Sequence, residues 1–191
     1  PDTRRVYPFD FVLAVTHSLA GGALVSRYDL EAGPNSRPMP FTIGNHISIR
    51  APLTRSGRFE AVRITTPCKR RLLLSEDNLF SGQEEPVDLS RGAVLADARL
   101  HDIALAGYEE DAPWTLIEDP CGLSMRVSHR QLVPLFAKED VYFVFWGEGP
   151  LGYFCPEPWL GGPDALNTGR HVAWLAPGSR FGWEMKVEPL R

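Results

Sequence analysis

No apolar run in the 191-residue chain is long enough to span a bilayer, so no stretch reads as a membrane helix. Positive charge is not in excess either. The 20 Lys and Arg are outnumbered by 24 Asp and Glu, and the formal net charge of −4 argues against nucleic acid or an anionic membrane as partner. Cysteine is scarce: Cys68, Cys121 and Cys155 are odd in number and lack metal-type spacing. They read as reduced, partly buried thiols of a cytoplasmic protein, with one disulfide between two of them left open. The histidines (His17, His46, His101, His129, His171) never pair at metal-ligand spacing, which argues against zinc. A Gly-rich phosphate loop in a strand–loop–helix setting is missing, as is a Gly-x-Ser-x-Gly elbow. So are an initiator Met and a signal-peptide core. The chain opens Pro1-Asp2-Thr3-Arg4-Arg5 and runs at once into strand pattern, which suggests that something upstream is missing.

What is present is period-two alternation. With 43% hydrophobic and 23% charged residues, the composition is that of a soluble globular domain with a real core. Residues 1–191 read as one β-sandwich domain, with no linker, repeat or low-complexity tract to divide it. Phe9, Phe11, Leu13, Val15 and Leu19 alternate with polar residues up to a turn at Ala20-Gly21-Gly22. Leu24, Tyr28 and Leu30 then alternate with Arg27, Asp29 and Glu31, which completes a hairpin. Further extended segments are expected over Met39–Ile49, Phe59–Thr65, Lys69–Leu74, Leu100–Tyr108, Trp114–Ile117, Leu123–Val127 and Val141–Trp146. Residues 75–92 are polar and read as a long loop. The cleanest strand is the last, with Phe181, Trp183, Met185 and Val187 on one face. No segment has the pattern of a three-turn helix, and the one candidate, Ser128–Ala137, is interrupted by Pro134. The fold class that follows is all-β, a large antiparallel sandwich with short connections.

Chemistry concentrates around Tyr153-Phe154-Cys155-Pro156-Glu157-Pro158-Trp159. The two prolines fix the backbone on either side of Glu157 and hold it extended. The result is a rigid mounting for a carboxylate beside an aromatic ring, the two groups a sugar site needs. Trp159, past a strand end, is the better sugar platform; Trp146 and Phe154 read as core. His46 follows Gly44-Asn45 inside an apolar strand, where glycine suggests a bulge or close backbone approach that re-aims a side chain. An imidazole there can donate to a substrate oxygen. His17 falls on the apolar side of its strand, whereas His101 and His129 sit among surface-type residues.

Three separated segments resemble the aldose 1-epimerase (galactose mutarotase-like) family. They are Tyr7-Pro8-Phe9-Asp10-Phe11; Met39-Pro40-Phe41-Thr42-Ile43-Gly44-Asn45-His46; and Cys155-Pro156-Glu157-Pro158-Trp159 through Pro163-Asp164-Ala165-Leu166-Asn167 to Leu175-Ala176-Pro177-Gly178-Ser179. The resemblance implies an antiparallel supersandwich, here N-terminally incomplete, and a cofactor-free isomerase of carbohydrate metabolism that interconverts the α and β anomers of a free hexose. It implies Glu157 as general base on the anomeric hydroxyl and His46 as general acid on the ring oxygen. It further implies a substrate contact from an Asp between the two halves, for which Asp97 is the loose candidate and Asp102 the alternative; Asn45 and Trp159 complete the expected substrate-binding residues, although some relatives carry a polar residue where Trp159 stands. Family members carry a substrate-contacting Arg and a second His upstream of the Tyr-Pro-Phe strand, and this chain begins at that strand.

Two further readings share the fold. One is a carbohydrate-binding module without catalysis. The other is a hexose-6-phosphate epimerase, which would need clustered arginines such as Arg63, Arg70 and Arg71. The expected partner is a small sugar, and a shortened sandwich exposes strand edges that invite a homodimer. The mutarotase mechanism requires His46 and Glu157 to face one cleft across a sugar-sized gap, and on this reading it fails if they do not.

Overall fold

The computed structural model describes residues 3–147 and 151–190; Pro1 and Asp2 of the charged opening lie outside them. The chain begins with a hairpin of β1 (Phe11–Ala20) and β2 (Ala23–Ala32), in register from Phe11 opposite Ala32 to Ala20 opposite Ala23. Short strands follow: β3 (Met39–Phe41), β4 (Ile43–Gly44) and β5 (Ile49–Arg50). Next come β6 (Arg63–Thr66), β7 (Arg70–Leu74), β8 (Phe80–Pro86), β9 (Leu89–Val94) and β10 (Ile103–Ala106). The chain closes with β11 (Trp114–Asp119), β12 (Leu123–Gln131), β13 (Val141–Trp146), β14 (Tyr153–Leu160), the one-turn helix α1 (Ala165–Thr168), β15 (Ala173–Leu175) and β16 (Arg180–Leu190).

These strands form two antiparallel sheets, so the all-β sandwich expected from the sequence is what the chain adopts. The first runs β1-β2-β16-β12-β11-β6-β9 and the second β4-β14-β13-β10-β7-β8, with β5 also on β14; β15 and β3 pair separately. Non-consecutive neighbours, such as β16 between β2 and β12, mean that the connections are not a simple meander. Alternation sorts the side chains. On β16, Phe181, Trp183, Met185 and Val187 are buried, as their spacing predicts. On β14, Phe154 and Leu160 face the core, with Phe154 packed near Phe143 and Phe145 and Leu160 in the cluster around Trp183. The intervening Cys155, Glu157 and Trp159 therefore point to the opposite face of that sheet.

Several expectations change. The interval 75–92 is not a loop but contains β8 and the start of β9. It carries few apolar residues because β8 is an edge strand with both faces largely in water. The span Phe59–Thr65 divides into a 3-10 turn over Phe59–Ala61 and the strand β6. His129 is buried rather than on the surface, accepts a hydrogen bond from Trp183 Nε1 at 3.1 Å, and is held neutral, its pKa driven down to about 3 by burial. His101 is held between the carbonyls of Gly147 and Leu95. All three cysteines are free: Cys68 and Cys155 buried, Cys121 exposed. No helix among the described residues is long and apolar enough to cross a membrane.

Candidate functional site

The two prolines of β14 create the site by what they cannot do. Pro156 and Pro158 have no N–H to give a neighbouring strand. On one side β14 pairs with β13 without a break from Val141 opposite Leu160 to Trp146 opposite Cys155. On the other side the neighbour is broken in two. β4 pairs at Trp159 and Leu160, and β5 pairs at Tyr153 and Phe154. Between them residues 45–48 leave the sheet opposite the prolines. One contact survives there, from the Asn45 N–H to the Pro158 carbonyl at 3.1 Å. The side chain of Asn45 donates to the Tyr28 hydroxyl at 2.5 Å, tying this loop back to β2. The loop thus carries His46 over the outward face of β14.

There His46 Nε2 lies 3.1 Å from Glu157 Oε1. The second carboxylate oxygen, Oε2, accepts from Trp159 Nε1 at 3.2 Å. Glu157 is almost fully buried while His46 is 59% exposed, so the carboxylate lies at the floor and the imidazole at the mouth. Burial raises the Glu157 pKa, against the opposing pull of His46 and the Trp159 hydrogen bond. Trp146 meets His46 edge to face, with centroids 5.6 Å apart. Gly44 is required where it stands: a Cβ there would come within 2.9 Å of Trp159 Cδ1, so only glycine lets the indole lie across β4.

His46, Glu157 and Trp159 line two adjoining cavities. One, of about 550 Å³, is closed by Thr42–Gly44 and the Gly161–Asn167 loop. The other, of about 420 Å³, is closed by Leu74, Asn78, Phe80, Asp102 and Trp146. The pair stands at their junction. The Gly161–Asn167 loop is fixed from behind, where Gly161 donates to the Asp140 carbonyl at 2.9 Å and His171 Nδ1 bonds Asp140 Oδ1 at 2.7 Å.

Of the residues singled out in the sequence, Glu157, His46 and Trp159 are brought together. Asn45 lines neither cavity and acts as a tie for the His46 loop. Asp97 is not brought to either cavity. It caps a 3-10 turn and grips Arg99 through its side chain, contacts that hold its carboxyl down to about 2. The alternative, Asp102, does reach the second cavity, on a backbone with φ of 52° that Asp tolerates better than most residues. Arg63, Arg70 and Arg71 form no phosphate cradle. Arg63 bonds the Arg91 and Gly92 carbonyls, while Arg70 and Arg71, adjacent on a strand, pair separately with Glu84 and Glu85.

Trp146, Phe80 and Asn78 are site residues that sequence reasoning passed over. A register signal existed for the first: if β13 pairs with β14, Trp146 stands beside Cys155 on the face of Glu157. Phe80 and Asn78 fell in the interval read as loop. Cys155 is also on this face. Its thiol bonds Ser48 Oγ at 3.1 Å and is pushed up by burial. The donor atoms of His46, Cys155 and Glu157 all lie within 4.8 Å of one another, a grouping able to hold a metal ion.

His46 and Glu157 share one cleft but touch, whereas the sequence reading expected a sugar-sized gap. The chemistry explains the difference. A hemiacetal's ring oxygen and anomeric hydroxyl are bonded to the same carbon, so an acid and a base serving them must stand close together. A hydroxyl and ring oxygen entering here would replace the direct contact.

No family model and no curated protein matches the sequence. Solved structures do match in fold. A galactose mutarotase-like protein from Clostridium acetobutylicum superposes with a TM-score of 0.82 at 15% identity, over 100% of this chain and 59% of that one. A galactose mutarotase-like protein from Lactobacillus casei gives 0.74 at 21% identity, over 99% and 66%. Galactose 1-epimerase from Lactobacillus acidophilus gives 0.58 at 13% identity, over 95% and 66%. The chain therefore has the galactose mutarotase-like fold and spans 59% to 66% of the length of these three proteins.

Proposed function

We propose that the chain carries the acid–base pair of an aldose 1-epimerase, with a free hexose as substrate. The observation that carries the reading is the 3.1 Å approach of His46 Nε2 to Glu157 Oε1 at the junction of two cavities. Glu157 takes the proton of the anomeric hydroxyl, and His46 gives a proton to the ring oxygen. The bond from C1 to the ring oxygen breaks as the C1 carbonyl forms. Rotation about C1–C2 and reversal of both transfers closes the ring to either anomer, with no net change of charge or protons. Each transfer contributes on the order of 10²–10⁴-fold. The Trp159 hydrogen bond keeps Oε2 occupied and leaves Oε1 to the substrate. Trp159 and Trp146 supply apolar ring surface, and Asp102 is available to sugar hydroxyls in the second cavity. The groups named here require no cofactor.

The test is polarimetric mutarotation of a freshly dissolved α-hexose by the 191-residue chain. Glu157→Gln should lower the rate at least about 100-fold; an unchanged rate removes the assignment. The second reading, sugar binding without turnover, is favoured by one observation. His46 Nε2 and Glu157 Oε1 already meet at 3.1 Å, so the pair is satisfied without a substrate between them. Saturable sugar binding with a background rate of mutarotation would select that reading.

A further inference from the structure

Cys155 and Glu157 are two residues apart on β14 and so share its outward face, and His46 hangs over both from the loop opposite the prolines. A nitrogen, a thiol sulfur and a carboxylate oxygen thus converge from two chain segments far apart in sequence. The donor atoms lie within 4.8 Å of one another, and the His46–Glu157 edge is already 3.1 Å. Zinc binds S at about 2.3 Å and N or O at about 2.0–2.2 Å, so neighbouring ligands in a tetrahedral site stand roughly 3.3–3.7 Å apart. The longest edge must close by about 1 Å to reach that spacing. His46, on an exposed loop, is the ligand best able to adjust. The outer contacts are also in place. Ser48 Oγ is 3.1 Å from Cys155 Sγ, and Trp159 Nε1 holds Glu157 Oε2, turning Oε1 inward.

We propose that His46, Cys155 and Glu157 form a three-ligand site for a thiophilic divalent cation of the zinc class, with its fourth position open to the cavity. The softness of the thiolate and the borderline imidazole select zinc-type cations over magnesium or calcium. On binding, Cys155 releases its thiol proton to solvent as the metal–sulfur bond forms, with no change of oxidation state. A bound cation takes the lone pairs of His46 and Glu157. In consequence it blocks the proton transfers proposed above, and this inhibitory consequence alone rests on the mutarotase reading.

The test uses the full chain with Co²⁺ alone as a spectroscopic stand-in for zinc, followed by Zn²⁺ competition. One Co²⁺ per chain is expected, with a cobalt–thiolate charge-transfer band. Cys121→Ser, which removes the exposed thiol, should keep the band, and Cys155→Ser should abolish it. His46→Ala, on an exposed loop whose change leaves the core alone, should weaken binding at least about 100-fold. That loss would exceed the 10–100-fold typical of outer-shell changes, a range within which Ser48→Ala should fall. No stoichiometric binding, a band that follows Cys121 instead of Cys155, or an affinity untouched by His46→Ala would each overturn the site. Mutarotation with and without Zn²⁺ reads the consequence separately. The cobalt band with no basal turnover would keep the metal site and remove the epimerase reading, whereas turnover without the band would do the reverse.

Discussion

β1 and β14 are both largely apolar strands, yet they end in opposite circumstances. β14 lies within its sheet, with Phe154, Cys155, Glu157 and Leu160 all nearly inaccessible. β1 is exposed along its whole length, with Phe11, Leu13 and Val15 at 44%, 45% and 45%. The pairing of β1 with β2 puts these three on the same face as Ala32, Leu30 and Tyr28, which are core residues. The apolar face of the first sheet therefore continues one strand beyond the cover the second sheet gives it. Alternation says which side chains share a face. It does not say whether anything lies opposite.

That contrast can be broken or sharpened by substitution. The largest expected difference is in chemistry: Glu157→Gln on β14 lowers mutarotation at least about 100-fold, while His17→Gln on β1 leaves it within about twofold. Polarimetry on the two variants decides, and equal effects would dissolve the distinction. In stability, Phe154→Ala should cost about 3–5 kcal/mol, as a cavity in a close-packed core does. Val15→Ala should cost less than about 1 kcal/mol, since little of its contact surface is lost. Urea melts give both numbers, and a large loss at Val15 would mean that β1 is covered in solution.

A smaller effect separates the buried His129 from the exposed His17. The unfolded chain takes up a proton at His129 below about pH 6.5, whereas the folded chain resists until about pH 3. Stability is full above that window and falls as pH drops through it, by up to about 3 kcal/mol between pH 7 and pH 4. His129→Gln should flatten this fall and His17→Gln should not, as acid titrations of the melting temperature would reveal. The smallest effect belongs to Trp159→Phe. Removing a hydrogen bond that lowers the Glu157 pKa should move the acid limb of kcat/KM to higher pH. An acid limb that stays in place would mean that Trp159 does not tune the carboxylate.

Much of the fold was legible because the signals were local. The β1–β2 hairpin, β13 and β16 follow from alternation, turn glycines and β-branched or aromatic runs. The strands missed or blurred were those where local signals mislead. β8 is polar because an edge strand needs no apolar face, and β6 is shortened by a 3-10 turn. His129 looked like a surface residue between Ser128 and Arg130, and only the partner strand β16, with Trp183, puts it in the core. In the site, the proline-flanked segment and the Gly-Asn-His segment single out Glu157, Trp159 and His46 as candidates, and the roles of Glu157 and His46 come from the family resemblance. Asp97 is preferred to Asp102 in the sequence and the structure reverses the order, because carboxylates five residues apart differ only in which one the backbone turns toward the cleft.

The sequence by itself determined the all-β class and the rigid extended mounting of Glu157 between Pro156 and Pro158. These follow from what each residue permits its own backbone to do. Only the tertiary structure decided that the missing proline N–H groups would split the neighbouring strand and swing His46 onto Glu157. It alone also brought Cys155 beside them and left β1 uncovered. Those outcomes depend on which strands become neighbours, a property of long-range pairing that no local spacing encodes.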